Sequence, residues 1–249
     1  MKVNLDDGYS FGLGVFETLH IKNGKAIFLD EHLKRLNDGL KILNIDKNLE
    51  KNFVLNEISK INFIKEDEVL KIIVSEQNTI FNTREYVYKD SDYKRGYNIK
   101  ISEIKRNDTS PFIYIKSLNY AENIFEKRKY AKKYDDVLFL NLEGNVCECA
   151  TSNLFYVKDN KIFTPKLESG LLNGIIRQYI LKNYKVREKF ITIKELLDAD
   201  EIFVTNSLIG IMPVVRIEEK RFKIGSVTMK ILADYKEYIN NKYKKGEIL

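Results

Sequence analysis

Along residues 12–28 apolar and polar positions alternate on either side of Asn23-Gly24. That dipeptide suits a tight turn, so the pattern predicts a β-hairpin. From Asp30 the apolar period lengthens, and Leu33, Leu36, Leu40 and Leu43 fall on one face of a helix. A second helix is predicted over residues 48–61 through Leu49, Phe53 and Ile58, then strands over 69–74, 84–88 and 98–104. Residues 105–111 are polar, aperiodic and end in Pro111, which marks an interdomain linker.

The second half opens with an apolar run, Phe112 to Ile115, that predicts a strand ending in Lys116. A helix is expected behind it, with Leu118, Ile124 and Phe125 on one face and Ser117 as its cap. A meander follows: a strand over 137–140, a turn at Glu143-Gly144, one long strand over 146–157, a turn at Asp159-Asn160, and a strand over 162–164. The loop 170–174 opens a helix over 175–183, a strand over 201–205 runs into Asn206-Ser207, and Pro213 marks an irregular or edge segment. A final helix is expected over 227–240, capped by Ser226. Helices mixed irregularly with antiparallel meanders predict an α+β protein. The expected division is a small N-terminal α+β domain over 1–106, a linker over 107–112 and a larger C-terminal domain over 113–249.

Composition narrows the classes. A chain of 249 residues, 44% hydrophobic with three prolines, can bury a substantial core and is ordered rather than disordered. The first residues lack a hydrophobic signal core and no apolar run is long enough to span a membrane. Cys147 and Cys149, two apart in a predicted strand, are too close for a structural disulfide, so a cytoplasmic protein is expected. The net charge of +6 permits nucleic acid or anionic metabolites, but the basic runs Lys127-Arg128-Lys129-Tyr130-Ala131-Lys132-Lys133 and Lys242-Tyr243-Lys244-Lys245 lie on predicted helices or the C-terminal tail, where solvated faces explain them. No nucleic-acid motif accompanies the charge, so a basic module stacking its tyrosines on bases stays a remote alternative. His20 and His32 have no partners at metal-ligand spacing, and no metal site is predicted.

Several residues suit a phosphate-bearing aldehyde cofactor. Lys116, dehydrated at the mouth of a strand, would lose its proton more easily and form a Schiff base; its ordinary alternative is a stem packed on the strand with its head in water. Glu148 sits on a strand between Val146 and Ala150, and a buried carboxylate there needs a partner such as a pyridinium nitrogen. Gly174-Ile175-Ile176-Arg177 opens a helix, where backbone amides attract anions. Arg35, on the shoulder of the first amphipathic helix beside His32, can reach a phosphate with its planar fork, and Ser207 can add a hydroxyl. A surface arginine and a plain turn serine are the competing readings.

Taken in order, Phe11-Gly12-Leu13-Gly14-Val15-Phe16-Glu17-Thr18, His32-Leu33-Lys34-Arg35-Leu36, Ile115-Lys116-Ser117-Leu118-Asn119-Tyr120, Glu148-Cys149-Ala150-Thr151-Ser152-Asn153-Leu154-Phe155, Thr164-Pro165, Gly174-Ile175-Ile176-Arg177 and Thr205-Asn206-Ser207-Leu208 resemble the fold-type IV (class IV) pyridoxal-phosphate aminotransferases. The resemblance implies two domains, the larger with an antiparallel pseudo-barrel, and pyridoxal 5'-phosphate as cofactor. It implies Lys116 as the Schiff-base lysine, Glu148 as partner of the pyridine nitrogen, and Arg35, the amides of Ile175 and Ile176, and Ser207 as phosphate ligands. Tyr120 would lie near the phenolic oxygen. It further implies a homodimer with the active site near the interface and an anionic amino compound as substrate. Phe16-Glu17-Thr18, Lys116-Ser117-Leu118-Asn119-Tyr120 and Thr205-Asn206-Ser207-Leu208 resemble the 4-amino-4-deoxychorismate lyase branch, which makes 4-aminobenzoate for the folate pathway. The alternative is a class IV transaminase of branched-chain or D-amino acids. Neither histidine has an arginine two residues before it, which disfavours the D-amino-acid branch.

Overall fold

The computed structural model describes residues 2–244 and divides the chain into two compact units. The first comprises the chain up to Val87, Ile115–Ala121 and the chain from Tyr238. It holds α1 (Asp7–Phe11), β1 (Gly14–Lys22), β2 (Lys25–Ala26), α2 (Leu29–Ile42), α3 (Lys51–Ser59), β3 (Asp67–Ser75) and β4 (Thr79–Glu85). The strands form an antiparallel sheet in the order β2-β1-β3-β4. The expected hairpin and first helix are present: Asn23 and Gly24 both adopt positive φ between β1 and β2. Alternation places Val15, Leu19 and Ile21 of β1 and Leu70, Ile72 and Val74 of β3 against Leu33, Leu36 and Leu40 of α2. In α3 the buried residues are Val54 and Ile58, while Phe53 is largely exposed.

The second unit comprises Tyr88–Tyr114 and Glu122–Glu237. Its elements are α4 (Asp90–Arg95), β5 (Tyr97–Arg106), a 3₁₀ turn (Pro111–Ile113), α5 (Ala121–Tyr130), β6 (Asp136–Asn141), β7 (Val146–Cys149), β8 (Asn153–Lys158), β9 (Lys161–Pro165), α6 (Ile175–Asn183), β10 (Val186–Lys189), α7 (Ile193–Leu197), β11 (Glu201–Asn206), β12 (Gly210–Ile217), β13 (Lys220–Arg221) and α8 (Ser226–Lys242) as far as Glu237. Eight strands run β10-β9-β8-β11-β12-β5-β6-β7, with β13 beside β12. Most pairings are antiparallel, as expected, but β5 is parallel to both β12 and β6, and β10 is parallel to β9. Helices α5 and α6 supply the crossovers that the β5–β6 and β9–β10 parallel pairs require.

The α+β class holds, with three corrections. β5 belongs to the large sheet, not to an N-terminal domain ending at residue 106, because its ladder partners are β6 and β12. The expected linker is folded into the second unit: Asp108 accepts from Asn141 Nδ2 at 3.0 Å, and Pro111 opens the 3₁₀ turn. The single strand expected over 146–157 is broken at Ala150–Ser152, because Asp136 accepts from Thr151 Oγ1 at 2.9 Å and Ser152 Oγ at 2.8 Å and turns the chain.

The expected cap of α8 also differs. The Val227 and Thr228 amides donate to the Glu201 carboxylate at 3.2 and 2.7 Å, and Gly225 makes room for it. Among the described residues no helix is long and apolar enough to cross a membrane.

Candidate active site

Lys116 does not end a strand. It lies in the turn after Pro111–Ile113, and β1 sets its backbone position. Phe16 N–H donates to the Lys116 carbonyl at 2.9 Å, Leu118 N–H donates to the Gly14 carbonyl at 2.8 Å, and Ser117 bridges Val15 rather than capping a helix. This approach needs Gly14, where a Cβ would stand 2.7 Å from the Val74 carbonyl oxygen. The Lys116 Nζ sits 4.5 Å from the Phe16 ring centroid and 5.0 Å from that of Tyr120, and the two rings meet edge to face. The structure thus brings Lys116 and Tyr120 together. A second ammonium, that of half-buried Lys71, lies 4.3 Å from the same Phe16 ring. Burial, and then the charge of Arg84, push the Lys71 pKa down.

Arg35 belongs to a buried cluster in the same unit. Glu17 projects from the apolar face of β1 and is 1% exposed. It accepts from His32 Nδ1 at 2.6 Å and from Arg35 Nε and Nη2 at 2.7 Å each. Burial alone would raise its pKa, but Arg35 and then His32 outweigh that and hold the carboxyl well below the usual range. His32 is pushed down by its own burial against the pull of Glu17. The imidazole is therefore neutral at pH 7, with Nδ1 as donor and Nε2 buried without a hydrogen-bond partner among the described residues. Two nitrogens of Arg35 are committed to Glu17, which fixes the plane of its guanidinium.

In the second unit Glu148 is buried on β7. Its Oε2 accepts from Asn153 Nδ2 at 3.1 Å, and its Oε1 lies 3.9 Å from Arg106 Nη2. Arg106 is itself buried, 4.0 Å over the Phe139 ring, and its Nη1 donates to Asn123 Oδ1 at 3.0 Å. Its Nε and Nη2 have no hydrogen-bond partner among the described residues. Asn123 lies on the inner face of α5 with Glu126, whereas Phe125 of the expected apolar face is 64% exposed.

Ile175 and Ile176 open α6 behind Gly174, which supplies no side-chain cap, so the first-turn amides have no carbonyl of their own helix. Arg177 of that motif is structural. It is buried and ties the loop to the sheet through Asn173 Oδ1, the Pro165 carbonyl and Glu188. Ser207 lies in the β11–β12 turn, which Asn206 holds by accepting from the Leu208 and Ile209 amides. Glu148, the α6 amides and Ser207 thus occur in one unit, and Lys116, Tyr120 and Arg35 in the other.

Sequence reasoning passed over Glu17, Arg106, Asn153 and Lys71. The signal for Glu17 is a charge among the inward positions Val15, Leu19 and Ile21 of one strand.

Comparison with known proteins gives this arrangement its family. The profile of Amino-transferase class IV matches residues 14–217. The aminodeoxychorismate lyase of Bacillus subtilis is 30% identical over 95% of this chain and 89% of its own. The D-alanine aminotransferase of Staphylococcus aureus strain N315 is 27% identical over 96% of this chain and 93% of its own. The crystal structure of the branched-chain aminotransferase of Thermoproteus uzoniensis with norvaline superimposes with a TM-score of 0.86 at 25% identity, over 98% of this chain and 91% of that one. With the match running from the start of β1 to the end of β12, the chain belongs to the class IV aminotransferases, a pyridoxal 5'-phosphate-dependent family of enzymes.

Proposed function

We propose that this chain is a lyase that converts 4-amino-4-deoxychorismate to 4-aminobenzoate and pyruvate, with Lys116 as its catalytic residue. The residues present fit the cofactor. Lys116 supplies the amine for its aldehyde, and Glu148 the buried carboxylate for its ring nitrogen. Arg35, the amides of Ile175 and Ile176, and Ser207 would hold its phosphate, with Tyr120 at the phenolic oxygen. The amides of α6, with no side-chain cap, and Thr205 Oγ1, two residues before Ser207 and without a hydrogen-bond partner among the described residues, are polar groups of the kind an anion satisfies.

When bound, pyridoxal phosphate supplies an aldehyde for the substrate amine and a protonated ring that accepts electrons from the adjoining carbon. Glu148 would keep a proton on the ring nitrogen. Lys116 would serve as the base that takes the proton from the carbon bearing the substrate amine. Its backbone bonds to β1 and the rings of Phe16 and Tyr120 limit how far the amine can stray. In the lyase, pyruvate then departs and the substrate ring becomes aromatic. In a transaminase, Lys116 would pass that proton on and the product would be a keto acid.

Lys71 favours the first outcome. A dicarboxylate substrate offers an anion to this half-buried ammonium, which already shares the Phe16 ring with Lys116. A branched-chain substrate, with a single carboxylate and an apolar side chain, would leave that cation facing hydrocarbon. The transaminase reading is kept alive by the 27% and 25% identities to the two aminotransferases.

The deciding experiment incubates the cofactor-loaded protein with 4-amino-4-deoxychorismate and no keto acid. Formation of 4-aminobenzoate supports the lyase, and amino transfer that requires a keto acid overturns it. Borohydride reduction followed by peptide mapping should place the cofactor on Lys116, and Lys116→Ala should abolish the label. The same proposal makes the working form a cytoplasmic homodimer, which sedimentation of the loaded protein checks for assembly state.

A further inference from the structure

The break between β7 and β8 does more than turn the chain. Asp136 gathers Thr151 and Ser152, Cys149 N–H donates to the Ser152 carbonyl at 2.7 Å, and Asn206 Nδ2 donates to the Thr151 carbonyl at 3.0 Å. The corner folds the first residue of β8 back beside β7. Asn153, 5% exposed, then donates one Nδ2 hydrogen to Glu148 Oε2 at 3.1 Å and the other to the Leu172 carbonyl at 2.8 Å. Its Oδ1 packs on Gly174, where a Cβ would fall 2.0 Å away. One rigid amide therefore touches both the buried carboxylate and the loop that delivers the first amides of α6.

We propose that Asn153 is a positioning residue that sets the spacing between the carboxylate for the cofactor's ring nitrogen and the amides for its phosphate. This rests on the assignment of Glu148, Ile175, Ile176 and Ser207 given above. A planar side chain with both donors engaged has little freedom, so a shift at either end is felt at the other. Gly174 completes the gauge, because only a residue without Cβ lets the loop close onto the amide oxygen.

The test uses the full chain stripped of cofactor and two probes that each report one end. Pyridoxine carries the ring but neither aldehyde nor phosphate, and inorganic phosphate carries only the anion; both are titrated calorimetrically. Glu148→Gln should weaken pyridoxine alone, and Ser207→Ala should weaken phosphate alone. Asn153→Leu, similar in shape but without polar atoms, should weaken both probes by about tenfold each. In the Glu148→Gln background it should cost little more for pyridoxine while still weakening phosphate. Gly174→Ala, which presses on the amide from the other side, should reproduce the double loss in a chain whose melting temperature shows it folded. If Asn153→Leu weakens only one probe or neither, or acts additively with Glu148→Gln on pyridoxine, the gauge is wrong while the site assignment stands. If Glu148→Gln and Ser207→Ala leave both probes unchanged, the assignment itself fails and the gauge with it.

Discussion

The Glu17–His32–Arg35 cluster offers the sharpest test of how the small unit is held. In Glu17→Gln the side chain keeps its shape but loses its charge, and its NH₂ must face a donor of Arg35 or His32. All three wild-type contacts are charge-assisted and no longer than 2.7 Å, around a carboxylate that is 1% exposed. Removing one partner of such a pair costs about 3–5 kcal/mol. The Arg35 side chain is 14% exposed and can recover some hydration, which puts the expected loss near the lower end, about 3 kcal/mol.

The pH dependence has a definite sign. Glu17 has its folded pKa below the unfolded value of about 4.3, so its contribution is complete above about pH 5 and is lost as pH falls. The gap between wild type and Glu17→Gln should narrow by about 1.4 kcal/mol per pH unit below about pH 4. His32 is also lowered, so the unfolded chain binds a proton that the folded chain refuses, and stability falls as pH drops below about 6.5. His32→Asn, which retains a donor toward Glu17, should remove that upper acid limb. Urea unfolding of the cofactor-free protein between pH 7 and pH 3.5 reads all three effects. A loss below about 1 kcal/mol for Glu17→Gln, typical of an exposed pair, or a gap that stays constant on acidification, would refute the reasoning.

Other perturbations separate further structural ideas. Asp6 is held at about 2, against its burial, by hydrogen bonds from Ser75, Gln77, Tyr9 and Asn78; Asp6→Asn should flatten the melting temperature's decline between about pH 4 and pH 2. Glu201→Ala removes the acceptor for the Val227 and Thr228 amides and should cost about 1–2 kcal/mol in denaturant unfolding, with Gly225→Ala acting in the same direction by displacing the carboxylate. Asp136→Ala should loosen the β7–β8 corner, seen as faster amide exchange at Thr151 and Ser152 than in wild type. Gly210→Ala places a Cβ 2.5 Å from the Tyr235 ring at a φ of +59° and should lower the melting temperature by several degrees, about 1–3 kcal/mol.

Periodicity was sufficient where an element buries an apolar face against its own neighbours. The hairpin at Asn23-Gly24, the stripe of α2 and the bounds of α6 are all legible in this way. It was insufficient where a polar partner decides the outcome. The strand expected to run through Ala150 is broken by Asp136, 15 and 16 residues upstream of the two residues it holds. Helix α5 turns Asn123 and Glu126 inward because Arg106 and Ser102 bond them, at 3.0 and 2.8 Å, and so leaves Phe125 outside. Strand β5 looks the same whichever sheet takes it, since alternation specifies a face but not a ladder partner.

The candidate site divides along the same line. Lys116, Glu148 and the glycine that opens α6 stand out because their residue types are costly or unusual at their positions, a cost visible in one chain. The side chains that aim them do not stand out, since an asparagine or arginine is ordinary anywhere until its partner is known. Glu17 is the instructive exception. A carboxylate on the inward face of β1 cannot remain unpaired, and a helix in the same unit carries His32 and Arg35 three positions apart, hence on one face. Matching an inward charge to the nearest helix bearing two basic groups at that spacing would have assigned Arg35 a partner from the sequence. It would also have shown that any anion held by Arg35 must be met by the part of the guanidinium that Glu17 does not engage.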